Sequence, residues 1–470
     1  MIKKLIFLIR LYRYNYIIEK LRGENNMKEL FKRERIIKLI KLAIPLFLET
    51  LLAQLLGSID TIMISKYNES YVAAIGNANT VMGFLTVLFS ICSIGVGIIV
   101  SQYLGRNEIE KSNKVLGHGI IFNLFIAIAI SIIFIIWNKV FLEMTNTPND
   151  IINEASGYIK IVSFGLPFLA MTNCMSSNFK SHGKPLIVTI ISFSANILNV
   201  LLDLVLIFGY LGLPELGYKG AALATVFCHV FTCLITILVT KIILKQKIFV
   251  LKLDKNITKA IIKIGGPSAL ENICYNISQI IVLSQVNLLL TEMINARTYL
   301  SMILAFIYII SGAFGSANSI IVGYNVGKKD YNEAAKSTKL AFLICYPIIL
   351  ILVIGLNAFG RLIFPLLTSN EIILNAIYSV LPILFLYETG RCANLIYINA
   401  LKSSGDTIFP VVCAIFSMFL VAAFGSYLFV SVLGIGFIGI FLAPALDEVV
   451  RAILCVIRFH TGKWKNKAID

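Results

Sequence analysis

Apolar residues in this chain fall into twelve long runs, near 36–65, 72–104, 115–137, 155–180, 186–209, 220–244, 261–290, 294–326, 338–360, 374–400, 407–431 and 437–457. Each is long enough, at 1.5 Å per helical residue, to cross the roughly 30 Å hydrocarbon layer of a bilayer. Runs that are apolar all round find no cover in water, so the pattern predicts helices whose solvent is lipid. The runs also repeat. Ala43-Ile44-Pro45-Leu46-Phe47-Leu48-Glu49 answers to Gly265-Gly266-Pro267-Ser268-Ala269-Leu270-Glu271, Gly105-Arg106 to Gly327-Lys328, and Ser181-His182-Gly183 to Ser403-Ser404-Gly405, always at an offset of 222 residues. A fixed register over three separate anchors marks an internal duplication. Six spans return a chain to the side it started from, so the two copies run parallel and are related by rotation about the membrane normal. The expected fold is an all-α membrane protein of twelve transmembrane helices in two parallel six-helix repeats. Its expected divisions are a basic N-terminal segment (1–35), an N-lobe (36–245), a linker (246–258), a C-lobe (259–458) and a tail (459–470).

Composition agrees with the pattern: 58% of the 470 residues are hydrophobic, only 14% are charged, and the mean hydropathy is +0.86. Charge then sets orientation. With the N-terminus in the cytosol, about 33 of the 41 Lys and Arg fall on the inner connections and the tail, and Lys66, Lys139, Lys219, Arg297 and Arg361 on the outer ones. Both termini are therefore expected in the cytosol of a cell (plasma or inner) membrane. The net charge of +16 is explained by anionic lipid headgroups and calls for no nucleic acid. The nine cysteines sit mostly inside apolar runs without CxxC or Cys/His spacing, as small core hydrophobes. Residues 1–26 leave two readings open, a basic amphipathic segment on the inner surface or a start at Met27. A cleaved signal peptide does not fit, because Arg10 and Arg13 interrupt the apolar run.

Ionisable residues inside spans are few and costly, roughly 2.5–3.5 kcal/mol each, which makes them the functional candidates. They are Glu49, Asp60, Asp203, Glu271, Glu388, Arg391, Asp447, Glu448 and Arg451. Asp60 near the end of span 1, Asp203 near the end of span 5 and Thr225 near the start of span 6 lie at one depth, roughly 8 Å below the outer surface. Asn196, Asn199 and Asp203 form one stripe at i, i+3 and i+7. Carboxylate, amide and hydroxyl oxygens are the ligands of a hard cation such as sodium, and two carboxylates in a poorly hydrated cavity also suit a shared proton. A monovalent cation is thus expected at Asp60, Asn199, Asp203 and Thr225, with Asn196 alongside. Neither aspartate recurs at the 222 offset, which lands on Val282 and Gly425, so this chemistry belongs to the first half alone. Glu49 does recur as Glu271, deeper in the membrane, and two readings stay open: the pair suits organic cations in a central cleft, or it is a pair of structural acids capping the pseudo-symmetry axis. Glu388 and Arg391 are spaced to pair with each other on span 10. No phosphate-binding GxxxxGK[ST] loop occurs, the four histidines share no motif, and no cofactor is expected.

Taken in order, Ala43-Ile44-Pro45 through Asp60-Thr61, Val100-Ser101-Gln102-Tyr103-Leu104-Gly105, Asn199-Val200-Leu201-Leu202-Asp203, Gly220-Ala221-Ala222-Leu223-Ala224-Thr225, Val322-Gly323-Tyr324-Asn325-Val326-Gly327, Ala400 through Thr407, and Arg458 through Trp464 resemble the bacterial multidrug and toxic compound extrusion (MATE) transporters. These belong to a wider group that includes polysaccharide and lipid flippases. The resemblance spans residues 36–465. It implies two six-helix lobes around a V-shaped cleft and export of small, often cationic, organic compounds in exchange for sodium or protons, with no obligate protein partner. It also implies a cation site at the positions of Asp60, Asn199, Asp203 and Thr225, and a bend of span 1 at Pro45. Some members carry an acid deeper in span 7. The chain departs from them with Tyr275 there and the acid at Glu271, which leaves Glu49, Glu271, Tyr275 and Glu388 as the candidate cleft residues. The alternative from the same group, a lipid-linked saccharide flippase, requires a cationic cleft, whereas the buried charges of this chain are mainly acids.

Overall fold

A computed structural model describes residues 30–468 except 146, 247 and 249–253, and excepting the Ser58 side chain. The alternative readings of residues 1–26, and most of the predicted linker, lie outside the described residues. Twelve helical units follow one another: α1 (Arg33–Tyr67), α2 (Glu69–Thr86, then Phe89–Gly105), α3 (Ile109–Met144), α4 (Ile152–Ser163, then Leu166–Ser181), α5 (Pro185–Phe208), α6 (Tyr218–Val239, extended by a π turn to Leu244), α7 (Lys255–Val286), α8 (Thr291–Gly327), α9 (Tyr331–Ile363), α10 (Glu371–Val380, then Ile383–Ser403), α11 (Ile408–Ser417, continued through π turns to Val432) and α12 (Phe437–His460). Among the described residues there is no strand.

Three units are broken rather than straight: α2 bends by 48°, α4 by 54° and α10 by 54°. Composition marks six helices as able to cross a membrane, and the three bent pairs raise the number to nine. The other three, α1, α7 and α12, are long enough at 35, 32 and 24 residues. They carry the acids and basic residues that the candidate chemistry rests on, and that lowers their hydropathy. Large apolar side chains such as Phe125, Ile136, Leu238, Ile351, Phe416 and Leu420 are exposed, as a lipid-facing belt requires.

Both halves pack by one scheme. In the first, α1 meets α5, α2 meets α3 and α4, and α4 meets α6; in the second, α7 meets α11, α8 meets α9 and α10, and α10 meets α12. The halves join through α1, α2, α7 and α8. They also exchange helix starts. Leu39 and Leu42 of α1 lie in the core of the second half, and Ile261 and Ile264 of α7, their 222-offset counterparts, lie in that of the first. At the end of the bundle where the basic residues cluster, hereafter the basic end, α2 and α8 cross with almost no side chain between them. A Cβ on Gly105 would collide with the Tyr324 carbonyl, and one on Gly327 with the Gln102 carbonyl. Gln102 and Tyr324 are themselves a 222-offset pair, so the contact is reciprocal. The Gln102 side chain donates to the Ser403 carbonyl at 2.7 Å, and Arg35 grips the Glu333 carboxylate with Nε and Nη2, each at 2.6 Å.

Two local features go beyond the sequence reading. The π turns of α11 displace the Met418 carbonyl from the regular ladder, and the buried Ser278 hydroxyl of α7 donates to it at 2.9 Å. The segment after α12 folds back: Trp464 stacks on Phe459 at 4.9 Å and donates to the Phe459 carbonyl at 2.8 Å. The reciprocal crossing yields the first prediction. Gly105→Ala and Gly327→Ala force two backbones apart and should each destabilise by about 1–3 kcal/mol. Gly312→Ala, on the same helix α8 with no atom within 4 Å of the added carbon, should be neutral or stabilising by up to about 1 kcal/mol. Thermal melts in detergent separate these cases, and equal melting of all three variants contradicts the crossing.

Candidate functional site

The first cluster follows from how α1 and α5 lie side by side. Pro45 has no amide hydrogen, which interrupts the α1 ladder, and the Thr189 hydroxyl of α5 donates to the Pro45 carbonyl at 2.9 Å. Both helices run the same way from that tie. Asp60 lies 15 residues further along α1 and Asp203 14 residues along α5, about 22 and 21 Å on. The two carboxylates consequently arrive at one level and lie within electrostatic reach of each other. Asp203 is only 2% exposed, and an oxygen of each carboxylate is buried without a hydrogen-bond partner. Among the described residues neither meets a basic side chain.

Around them stand Thr225 and Cys228 of α6, Asn199 of α5, Tyr158 of α4 and Asn79 of α2. Tyr158, 6% exposed, stands beside the side chains of Thr225 and Asn79 and lies in the field of both carboxylates. Cys228 stands beside Asn199 and feels the same two charges. The Thr225 hydroxyl donates its proton to the Ala221 carbonyl at 3.0 Å, which leaves its lone pairs for the cavity. Asp60, Asn199, Asp203 and Thr225 are thus gathered. Asn196, one turn away on the same stripe, is half-buried with no side-chain hydrogen bond to the cluster. Tyr158 and Asn79 were not foreseen: one tyrosine among 19 carries no signal until the bend in α4 is known.

The deeper glutamates stand differently from expectation. Glu49 is ion-paired with Lys180 of α4 at 2.9 Å, and Glu271 with Lys402 of α10 at 2.6 Å. Lys180 and Lys402 are also 222 apart, so the duplication preserved the pair and not the acid alone. Both lysines line a chamber of about 210 Å³ between the halves, with Ile94 and Ser316, Gly97 and Ser319, and Ser177 and Asn399 as further offset-related walls. Each acid is neutralised by its lysine, and the expected pair of bare carboxylates for organic cations is not what the cleft presents. Glu388 is fully buried and bonded to Arg391 at 2.8 Å, so it does not face the cleft. Arg391 continues to Glu448 at 3.7 Å, and Arg451 joins Glu448 at 2.9 Å and Asp447 at 2.6 Å. Tyr275 is 39% exposed and lines a separate cavity in the second half.

A duplicated bundle of twelve helical units with a polar chamber between the copies has the architecture expected of a membrane transporter. The comparisons narrow the class. The MatE family model matches twice, over residues 45–205 and 267–428. The chain is 30% identical to the uncharacterized transporter YisQ of Bacillus subtilis over 93% of this chain and 96% of that one. It is 25% identical to the probable multidrug resistance protein NorM of Thermotoga maritima over 92% and 94% of the two chains. A solved outward-facing multidrug resistance MATE transporter of the MOP superfamily superposes with a TM-score of 0.82 at 18% identity, covering 91% of this chain and 96% of that one. The chain belongs to the MatE family, the multidrug-efflux transporters, and is a multi-pass membrane protein of their twelve-helix fold.

The paired ion bridges carry the second prediction. Removing one partner leaves an unpaired charge in a partly buried site, so Glu49→Gln and Lys180→Met should each destabilise by about 1–3 kcal/mol. The double variant should lose clearly less than the sum, with a coupling of at least about 1 kcal/mol in a double-mutant cycle read from thermal melts. Strict additivity means that the two side chains do not pair in the folded protein.

Proposed function

We propose that the protein is a secondary antiporter that exports small organic, drug-like compounds from the cytosol across the cell membrane. An inward flux of sodium or protons drives it, and both termini lie in the cytosol. The observation that carries this reading is the pair Asp60 and Asp203, one half-buried and one buried carboxylate with no basic partner among the described residues, surrounded by the oxygens of Asn199 and Thr225. Nothing in a hydrocarbon-embedded fold favours two adjacent uncompensated acids unless a cation or proton neutralises them during part of the cycle. At about 4 Å and an effective dielectric near 20, each carboxylate attracts a monovalent cation by about 4 kcal/mol before desolvation. Two together hold sodium or a proton; one holds either weakly.

Coupling then requires that the cation and the exported compound favour opposite facings of the two lobes, 36–245 and 259–458, about the chamber between them. Closure at the basic end by Gly105, Gly327 and the Arg35–Glu333 pair is consistent with a cleft open on the other side. The positive-inside distribution supports the basic end as cytosolic. The flippase reading gains no observation: it needs a cationic cleft, and the two lysines of the chamber are each matched by a glutamate.

The test is export of a fluorescent organic cation from proteoliposomes under sodium or proton gradients imposed separately. Asp60→Asn and Asp203→Asn should each abolish gradient-driven export with unchanged insertion and melting, because Asn is nearly isosteric with Asp. Thr225→Val should impair sodium dependence more than proton dependence, since a proton needs no hydroxyl ligand. A double Asn variant that still concentrates the probe against its gradient rules the mechanism out.

A further inference from the structure

The second half has its own cavity at the place that corresponds to the aspartate cluster, and its polarity is reversed. It encloses about 320 Å³ among α7, α8, α10 and α12, and its walls include Val282, Arg297, Ser301, Tyr308, Tyr387 and Arg391. Val282 and Ser301 occupy the positions of Asp60 and Asn79 at the 222 offset. The basic and aromatic walls stand where the first half is apolar or bare: Arg297 for Ile75, Arg391 for Leu169, Tyr387 for Gly165 and Tyr275 for Ala53. One side of the bundle thus holds carboxylates without cations, and the equivalent place on the other side holds guanidinium groups.

The two arginines differ in what they have left to bind. Arg391, 8% exposed, is held by Glu388 and Glu448, and its guanidinium lies over the Tyr387 ring at 4.0 Å and near the Tyr308 ring at 5.7 Å. It is a fixed part of the wall. Arg297 is half-buried in α8 and has no acidic partner among the described residues; Tyr387 and Tyr275 are the titratable groups that act on it. A guanidinium withdrawn from water with its planar fork free is a ready site for a carboxylate, which it grips through two parallel N–H···O bonds. The tyrosine rings beside it offer faces for an aromatic body. One free guanidinium, with Glu388 and Glu448 behind its neighbour, matches a single negative charge and disfavours a dianionic phosphate.

We propose that this second-half cavity binds the carboxylate of an aromatic organic acid or zwitterion, with Arg297 taking the charge and the tyrosines the ring. This rests on the exporter reading and deepens it, naming the second-half cavity and Arg297 as the place that would hold a substrate's carboxylate. A cavity of about 320 Å³ lies at the small end of the range for organic ligands, which suits a fused bicyclic acid.

The experiment titrates the full-length protein in detergent with fluorescent 1-naphthoate, and in parallel with 1-naphthamide and 1-naphthylmethylammonium, which keep the ring and change the charge. Wild type should bind naphthoate at least tenfold more tightly than either analogue. Arg297→Gln should weaken naphthoate at least tenfold and leave naphthamide unchanged, with Arg297→Lys recovering part of the loss. Naphthamide binding as tightly as naphthoate, an Arg297→Gln variant with wild-type affinity, or displacement of naphthoate by equimolar chloride would each overturn the proposal. If Arg297→Gln does not elute as the wild type, the charge comparison on wild type alone decides. Asp60→Asn should lose gradient-driven export yet keep naphthoate binding. Naphthoate bound through Arg297 by a protein that concentrates nothing under either gradient supports the cavity and defeats the antiport reading. Export that depends on Asp60 without naphthoate binding does the reverse.

Discussion

Two copies of a six-helix unit can seal a path through a membrane only where their backbones come close, and side chains stand in the way everywhere else. The crossing of α2 and α8 meets that constraint by removing the side chains: Gly105 lies on the Tyr324 carbonyl and Gly327 on the Gln102 carbonyl. Hydrocarbon supplies no hydrophobic force between helices, so association in lipid rests on close van der Waals approach and hydrogen bonds. Small residues at the crossing supply the first, and the Gln102 bond to the Ser403 carbonyl the second. The exchanged helix starts extend the same logic, since Leu39 and Ile261 each complete the other half's core.

The frame is symmetric and the chemistry is not. On the axis the duplication is retained, because Glu49–Lys180 and Glu271–Lys402 repeat as pairs. A neutralised pair costs a membrane helix far less than a lone charge, which explains why both copies persist close to the seam. Away from the axis the halves diverge. The first keeps Asp60 and Asp203 without basic partners, whereas the second builds a linked set of Glu388, Arg391, Asp447, Glu448 and Arg451. Unpaired acids in a low-dielectric pocket change their interactions when a cation or proton arrives; acids already paired with arginines have less to gain. On that contrast the first half is the one suited to respond to an ion.

Spans and their number were legible because a bilayer imposes one length and one polarity on every crossing helix. Counting along those helices also gave depth, and depth was enough to bring Asp60, Asn199, Asp203 and Thr225 together. It did not give rotation or the reach of long side chains. Lys180 and Lys402 stand at the ends of their helices, and flexible stems let lysines reach well away from their own Cα, here to Glu49 and Glu271. Glu388 lies on the interior side of α10 and so never meets the cleft. The bends of α4 and α10 fall at Gly165–Pro167 and at Pro382, where proline ends the preceding helix, whereas the break in α2 between Thr86 and Phe89 has no such mark.

The location of the ion pairs bears on how such a frame can move. Glu49–Lys180 and Glu271–Lys402 each lie within one half and survive a separation of the halves. Arg35–Glu333 and Gln102–Ser403 cross the seam and do not. Arg35–Glu333 is bidentate and partly buried, with side chains 14% and 30% exposed, so its loss costs more than the about 0–1 kcal/mol of an exposed pair, and the hydrogen bond adds about 0.5–1.5 kcal/mol. The larger cost of opening the basic end is the parting of closely packed helix surfaces at the glycine crossing. Inverting a two-state equilibrium from 1:99 to 99:1 takes about 5.5 kcal/mol of differential binding. Two acidic side chains that hold a cation in one facing and lose it in the other are of the right order to supply that difference. A seam locked by buried, saturated salt bridges would exceed it. Keeping Glu49–Lys180 and Glu271–Lys402 inside the halves limits the pairs that must break at the seam, as the proposed alternation requires.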